Sequence, residues 1–297
     1  LGRCPLRYLH SSILRIYPPD DPELDPDVWL DHRVRGSLLH DVFEATMRTA
    51  RVDGIKPDEP AFEARALEIL SDRIQLLRDE VPIPGEGTLR RETAALSDDV
   101  RSFVRMIRSD SPKTVAFEMT FGLDDDEPVT IELEGGRLRL RGAIDRVDED
   151  LAGLHVIDYK TGGAFGYGTD AFDGGRRLQH AIYARAAEQR LGGDVVDGQY
   201  HFPTRKGQNQ TFTYDRAKLA GVEALLELLM EGVARGHFVP TDNPDDCSFC
   251  DFSDICRASR DPYGKTSSPM AEWSKEQVGI PLRPAVEQLK QVRAFED

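Results

Sequence analysis

The first part of the chain carries its apolar side chains three and four residues apart, as amphipathic helices do. This spacing predicts helices over residues 37–50, 60–79 and 93–108. A shorter helix is expected over 1–17, and it would carry Cys4. The sequence therefore predicts a helical region that precedes any β-sheet.

The pattern changes from about residue 115, where apolar and polar side chains alternate as in half-buried strands. This alternation predicts strands over residues 115–121, 129–134, 137–144, 154–160 and 194–202. Gly135-Gly136 suits a two-residue hairpin turn between the second and third of these strands. A helix is expected over 176–190, and Asp215 suits the N-cap of a long helix that ends at Gly236.

The order of these elements indicates an α/β fold, in which helices flank one mixed sheet and a further helical region is inserted. We expect one domain over 1–262, with the helical part at about 37–110 and the core at about 113–235. Residues 263–297 are rich in serine, proline and charge, so we expect a tail or linker there. The sequence holds no P-loop, which argues against ATP as its own substrate.

The composition is that of a folded protein, with 39% hydrophobic and 31% charged residues among 297. No apolar stretch is long enough to span a membrane and no signal peptide is visible. We therefore expect no membrane association and a cytoplasmic location. Because the chain does not begin with Met, we also expect that it is processed or excised from a longer one.

The formal net charge of −15 argues against a protein that binds nucleic acid by itself, because phosphate contacts come from lysine and arginine. An acidic metal site would add to this negative charge, however, and a partner protein could supply a basic surface. The charge therefore weighs against a DNA-binding function without excluding it.

Two carboxylates and a lysine fall on predicted strands that follow one another along the chain. Asp145 lies on the first, and Asp158 and Lys160 lie two residues apart on the second, so both project from the same side. Carboxylate oxygens bind hard divalent metals, and phosphodiester cleavage uses such a metal with a cation near the phosphate. Taken alone, a D-x-K pair is more often a solvated salt bridge.

Three of the four cysteines form a C-x2-C-x5-C cluster at Cys247, Cys250 and Cys256, and the fourth is Cys4. Such clustering in a chain without secretory signals indicates a metal or cluster site rather than disulfides. Four thiolates suit either a tetrahedral zinc ion or an iron–sulfur cluster, and the spacing does not separate the two.

Three motifs follow one another along the chain, namely G-x-I-D-R-V-D at 142–148, D-Y-K-T-G at 158–162 and L-Q-H-A-I-Y-A at 178–184. In this order they resemble the RecB-like branch of the PD-(D/E)XK nucleases. Gln179 and Tyr183 match the Q-x-x-x-Y motif of that family, and Gly36 and His40 match its upstream G-x-x-x-H motif. The resemblance implies a restriction-endonuclease-like core that binds DNA.

The resemblance also implies the roles of individual residues. The catalytic residues would be Asp145, Asp158, Lys160, Gln179 and Tyr183. The ligands of Mg²⁺ or Mn²⁺ would be His40, Asp145, Asp158 and the backbone carbonyl of Ile157. Glu118 is a possible further acid of the site, and an exposed strand glutamate is an equally good interpretation of it.

The cysteine pattern resembles the iron–sulfur subgroup of this family, which includes AddB-type helicase–nuclease subunits and CRISPR-associated RecB-like exonucleases. These proteins place one cysteine before the nuclease core and three after it, as Cys4 and Cys247, Cys250 and Cys256 are placed here. The resemblance favours a 4Fe–4S cluster over zinc. Such a site would join the two ends of the domain as a staple.

These features together predict a Mg- or Mn-dependent deoxyribonuclease, expected to be a single-strand exonuclease domain fed by the helicase motor of a DNA repair and recombination enzyme. The first alternative is a stand-alone CRISPR-associated exonuclease. A second is a nuclease-inactive DNA-binding module held by its cluster. A third is a zinc-stabilised structural protein with no DNA role.

Overall fold

Seven β-strands form the centre of the protein in its computed structural model. The structure describes residues 1–17, 25–110, 113–168, 170–248, 250–252, 255–256 and 283–295. The strands are β1 (Thr114–Phe121), β2 (Val129–Leu133), β3 (Gly136–Leu140), β4 (Gly142–Glu149), β5 (Leu154–Tyr159), β6 (Val195–Phe202) and β7 (Gln210–Asp215).

Eight α-helices lie within these described residues. They are α1 (Pro5–Tyr8), α2 (His32–Asp53), α3 (Pro60–Glu80), α4 (Glu86–Asp110), α5 (Gln179–Leu191), α6 (Arg216–Leu219), α7 (Val222–Ala234) and α8 (Arg283–Arg293). A π-helical turn over Leu9–Ile13 continues α1, and a 3-10 turn covers Pro244–Cys247. None of the described helices combines the length and apolar character that a membrane-spanning segment needs.

Five strands form one mixed sheet in the order β1-β4-β5-β6-β7, while β2 and β3 form a separate hairpin. Only β5 and β6 pair in parallel, and α5 makes the crossover between them. The other pairs in the sheet are antiparallel. The prediction of an α/β fold with one mixed sheet is therefore confirmed.

The helices pack on this sheet in two hydrophobic cores. One contains the inward faces of α2, α3 and α4 and takes Ile157 and Tyr159 from β5. The other contains α5, α7 and the β2–β3 hairpin and takes Leu154 and Val156 from the same strand. Because side chains alternate along a strand, β5 contributes to both cores and is covered on both faces.

The helices of the first core are longer than the apolar spacing predicts. Helix α2 begins five residues earlier than residue 37, because the Asp31 carboxylate caps it by accepting from the N–H groups of Arg33 and Val34. It ends at Gly54, which adopts the left-handed conformation that glycine tolerates. Helix α4 likewise begins at Glu86 rather than at residue 93.

Two further predictions about elements need correction, and one strand was not predicted. The strand expected over 137–144 divides at Arg141 into β3, which pairs with β2, and β4, which enters the main sheet. Asp215 caps only the four-residue α6, and the long α7 begins separately at Val222. Strand β7 was not predicted, since its residues 210–215 follow a turn and only Tyr214 is buried.

The C-terminal segment is not simply the tail or linker expected over 263–297. Residues 263–282 lie outside the described residues, but 283–293 form the amphipathic helix α8. Its Val286, Leu289 and Val292 are buried, and Gln288 donates to the backbone carbonyl of Leu228 on α7. Its apolar residues recur at helical spacing, a signal that the charge-rich composition masks.

Candidate metal centre

Three potential metal ligands meet above the edge of the sheet formed by β1 and β4. They are His40 from α2, Glu118 from β1 and Asp145 from β4, and each offers an atom within 4.8 Å of the other two. Nδ1 of His40 lies 3.4 Å from Oδ2 of Asp145. A cavity of about 470 Å³ opens beside His40 and Glu118. Among the described residues this is the one such group of histidine, cysteine and acidic side chains.

Local backbone features bring these side chains together. A Cβ added at Gly36 would lie 3.3 Å from Oγ1 of Thr161, so a glycine lets α2 approach the end of β5 one turn before His40. Glu118 adopts φ 42° in the middle of β1, a left-handed conformation that is rare for such a residue. Strained backbone of this kind often occurs at functional sites, and it is a property that sequence reasoning did not reveal.

Asp158 is the most deeply buried carboxylate beside this group, with 2% of its surface exposed. Its Oδ2 lies 2.5 Å from Nζ of Lys160. That oxygen is buried, and the Lys160 ammonium group is its partner in an ion pair. Burial of a carboxylate costs desolvation free energy, and a metal ion beside it would stabilise its charge.

Lys160 connects Asp158 to helix α5. Its Nζ donates a hydrogen bond of 2.8 Å to Oε1 of Gln179, and Nε2 of Gln179 donates one of 2.8 Å to the Tyr183 hydroxyl. Asp158, Lys160, Gln179 and Tyr183 therefore form one continuous row of contacts, while Asp145 belongs to the group around His40. The catalytic roles of these residues remain predictions.

Burial and mutual repulsion shift the pKa values of the side chains around the candidate metal site. Burial raises the pKa of Glu118 to about 7, and the negative charges of Asp145 and Glu44 add to the effect. Burial also raises the pKa of Asp158 to about 6, although the charge of Lys160 opposes it. For His40 burial acts to lower the pKa, but the hydrogen bond and charge of Asp145 prevail and raise it. A cation placed here would relieve this repulsion.

Groups on the neighbouring strand β5 fix the position of the Asp145 carboxylate. The backbone N–H of Tyr159 donates to its Oδ2 over 2.6 Å. The Tyr159 hydroxyl accepts from Arg146 over 2.7 Å, and Arg146 also binds Asp148. These contacts are almost fully buried, so they fix the position of the carboxylate.

The donor set fits a hard divalent ion such as Mg²⁺ or Mn²⁺. Carboxylate oxygens from Glu118 and Asp145 and one imidazole nitrogen from His40 are within reach of a single ion. Asp158 lies outside this compact group, although its charge acts on His40. The side chain of Ile157 belongs to the helical core, and the ligand role of its carbonyl remains a prediction.

A second, larger depression begins at the lysine. It has a volume of about 810 Å³, and its wall includes Lys160, Gln179, Tyr183, Arg141 and Arg3. Sequence reasoning did not find this groove, because its residues come from segments that are far apart along the chain.

The four cysteines do not form a compact ligand group in the described part of the protein. All four are partly exposed. Burial raises the pKa of Cys247 to about 11, and proximity to Cys4, Cys250 and Cys256 adds to the effect. Cys4 caps α1, where its sulfur accepts from the N–H of Arg7 over 3.4 Å. Within the described residues the sulfurs do not form a ligand group as compact as that around His40, so the expected cluster remains a prediction.

Comparison with known proteins agrees with this geometry. A model of the PD-(D/E)XK nuclease superfamily matches residues 1–257. The Gene 69 protein of Mycobacterium phage L5 is 35% identical over 289 residues, covering 86% of this chain and 92% of the phage protein. The Gene 69 protein of Mycobacterium phage D29 is 36% identical over 132 residues, covering 42% of this chain and 45% of that protein, less than half of its length.

Proposed function

Because the chain belongs to the PD-(D/E)XK nuclease superfamily, we propose that it is a metal-dependent deoxyribonuclease that degrades single-stranded DNA from an end. The observation that carries this proposal is the meeting of His40, Glu118 and Asp145 beside the Asp158–Lys160 pair. Histidine and carboxylate ligands next to a lysine are suited to phosphodiester hydrolysis.

The proposed division of labour follows from the contacts. Asp145 and Glu118 with His40 would hold Mg²⁺ or Mn²⁺, and the buried oxygen of Asp158 would complete the set. When bound, the ion would lower the pKa of a water molecule and reduce the charge of the phosphate. The residues of this chain would then position the reacting groups, and that positioning can be tested by substitution.

Lys160 is the proposed electrostatic partner of the scissile phosphate. Its ammonium group is held between the Asp158 carboxylate and the Gln179 amide. From there it would orient the attacking water or stabilise the negative charge that builds on the phosphate. Gln179 and Tyr183 would position either the DNA backbone or Lys160, and the hydrogen bond between their side chains favours a role through Lys160.

The cysteines support a second proposal, a 4Fe–4S cluster that joins the chain ends. Cys4 stands before the sheet, and Cys247, Cys250 and Cys256 follow α7, as in the iron–sulfur subgroup described above. This order along the chain supports the proposal, since the described sulfurs do not themselves form a compact ligand group. Iron and zinc analysis of protein purified without oxygen distinguishes the cluster from a zinc ion. Two equivalents or fewer of iron per chain would contradict a 4Fe–4S cluster.

We also propose that a helicase motor delivers the strand. The net charge of −15 gives the chain little general attraction for DNA. The motor would be a helicase domain or a separate subunit of a repair or recombination system.

The nuclease proposal is tested by following end-labelled single-stranded DNA in Mn²⁺ or Mg²⁺. Wild type should release short labelled products, and Asp158→Asn should reduce cleavage by about 1,000-fold or more while DNA binding is retained. The matched control is Asp150→Asn, which changes an exposed aspartate on the β4–β5 turn and should leave the rate unchanged. Full cleavage by Asp158→Asn, or none by a folded, metal-loaded wild type, would overturn the proposal.

A further inference from the structure

One aromatic side chain stands unpacked at the rim of the groove that begins at Lys160. Phe165 is 96% exposed, and it lines the groove together with Gln179 and Tyr183. In the described part of the protein its ring meets no other ring and no cation. Exposure of a whole phenyl ring to water is unfavourable, by about 2 kcal/mol relative to burial, so a ligand that covers this ring would gain free energy.

The loop that carries Phe165 is firmly attached just beyond it. Arg177, which is largely buried, donates to the carbonyls of Gly166 over 2.6 Å and Asp170 over 2.9 Å, and its guanidinium stacks on the Tyr167 ring at 4.3 Å. The Tyr214 hydroxyl donates to the carbonyl of Gly168. The ring is therefore presented from an anchored backbone, which lowers the entropy lost when it binds a partner.

The charges around the ring suit a phosphate backbone. Arg3 and Arg141 are exposed in the same groove, and neither guanidinium forms an ion pair with any described residue. The side chain of Lys206 lies against Gly163 at the base of the loop. Acidic residues also line the wall, but Asp246 is neutralised by Arg176 at 3.2 Å. A protein with a strong net negative charge thus places cations beside an exposed aromatic ring and a candidate phosphate site.

We propose that Phe165 stacks on an unpaired base of the strand whose phosphate lies at Lys160, so that the ring favours single-stranded over double-stranded nucleic acid. This inference rests on the proposed function. An exposed ring beside a cationic groove binds any base through its flat face. In a duplex that face is already covered by the neighbouring bases, so the ring gains nothing from paired DNA.

The test measures binding rather than cleavage. Affinity for a short labelled single-stranded oligonucleotide is determined in Ca²⁺, and 2-aminopurine in the strand reports stacking. Phe165→Ala should weaken binding about 5- to 150-fold and restore the 2-aminopurine fluorescence, while Phe165→Trp should bind as wild type does. Leu151→Ala is the matched control, because Leu151 is fully exposed on the β4–β5 turn outside the groove. Since Phe165 packs on nothing, its variants should fold normally.

Each outcome separates this inference from the nuclease proposal. Wild-type affinity of Phe165→Ala, in a protein that cleaves DNA, overturns the stacking inference and leaves the nuclease standing. An equal loss for duplex DNA, or the same loss in Leu151→Ala, also overturns it. Wild type that neither binds nor cleaves single strands would overturn both. A loss confined to single strands and rescued by Trp supports the inference, whether or not the strand is cleaved.

Discussion

The two candidate metal-binding regions of this protein are built in opposite ways. In the first region, the long helix α2 carries His40, and the paired strands β1 and β4 carry Glu118 and Asp145. The backbone N–H of Tyr159 donates to Asp145 and fixes its position. Cys4 and Cys247 lie at the edges of short helical turns, and Cys250 and Cys256 lie in loops. Regular structure therefore positions the first region, while short turns and loops position the second.

This difference indicates different uses of metal. In a preformed site the negatively charged ligands already lie close together and repel one another. An ion that binds there relieves this repulsion and takes part in the reaction, while the fold stays intact without it. A site made of loops is ordered by its metal, so the free energy of metal binding becomes free energy of folding. The contrast predicts that changes in the first region reduce activity, whereas changes in the second reduce stability.

The largest expected effect is on activity, from Lys160→Met. This change removes the cation between Asp158 and Gln179 but keeps the apolar part of the chain. We expect cleavage to fall about 100- to 1,000-fold, as when one group that stabilises transition-state charge is lost. The melting temperature should change little or rise, because the buried pair is then replaced by one carboxyl that can accept a proton.

Single-turnover cleavage and thermal melting of the same samples check this prediction. Lys113→Met, at an exposed lysine before β1, is the matched control and should cleave at the wild-type rate. A loss of activity that merely follows a loss of folded protein would contradict the contrast between the two regions.

The next effect is on stability, from Cys4→Ala. Loss of one ligand should release the N-terminal segment from the segment around Cys247 and lower the free energy of unfolding by roughly 3 kcal/mol, or about 6–12 °C in melting temperature. Removal of the cluster from wild type should lower the melting temperature as far as the substitution does, and the two changes together should not add. Chelation of Mg²⁺ alone should leave the melting temperature within about 2 °C.

Melting curves with matched iron analysis decide this point. A Cys4→Ala protein that lacks the cluster yet melts with wild type would show that the cysteines do not staple the chain ends. In that case α8 would carry the connection, because Arg293 donates to the carbonyls of Gly2 and Arg3.

The fold was largely predictable from the sequence, because hydrophobic periodicity and turn residues report local structure directly. The mixed sheet follows from strands 115–121 to 194–202, and the superfamily follows from the order of the motifs at 142–148, 158–162 and 178–184. The divided strand at Arg141 was not predictable, since both halves alternate alike and only tertiary pairing sends β3 and β4 to different sheets.

The site was predictable as a set of residues but not as a geometry. The order of motifs selects a set of five residues: Asp145, Asp158, Lys160, Gln179 and Tyr183. The structure joins the last four in one row of contacts and places Asp145 with His40 and Glu118, while the catalytic roles stay predictions. The position of Glu118 depends on its left-handed backbone. The groove with Phe165 depends on loops that meet only in the folded chain. Neither has a local sequence pattern.

A smaller effect concerns pH and is probed by Glu118→Gln. The pKa of Glu118 is raised from its usual 4.5 to about 7, so the folded, metal-free protein holds this proton more tightly than the unfolded chain. Its contribution to stability is therefore present below pH 4.5 and is lost as the pH rises to about 7. A divalent ion displaces the proton, so metal-induced stabilisation should grow over the same range.

Melting temperatures at several pH values, with and without Mg²⁺, test this prediction. Glu118→Gln should flatten the metal-free profile and weaken Mg²⁺ binding about tenfold at pH 8. Glu132→Gln, at an exposed strand glutamate outside the site, is the control and should follow wild type. If Glu118→Gln keeps both the pH profile and the Mg²⁺ affinity, Glu118 is not a ligand.

The smallest effect is expected from Tyr183→Phe. This substitution tests how far activity in the first region depends on the positioning of Lys160. The substitution removes the hydroxyl that accepts from Gln179 at 2.8 Å, so the amide can rotate and Lys160 loses part of its support. Loss of one such hydrogen bond should lower kcat about 2- to 10-fold with little change in the KM for DNA. Tyr17→Phe, at an exposed tyrosine, is the control. A rise in KM at constant kcat would instead place the Tyr183 hydroxyl on the substrate.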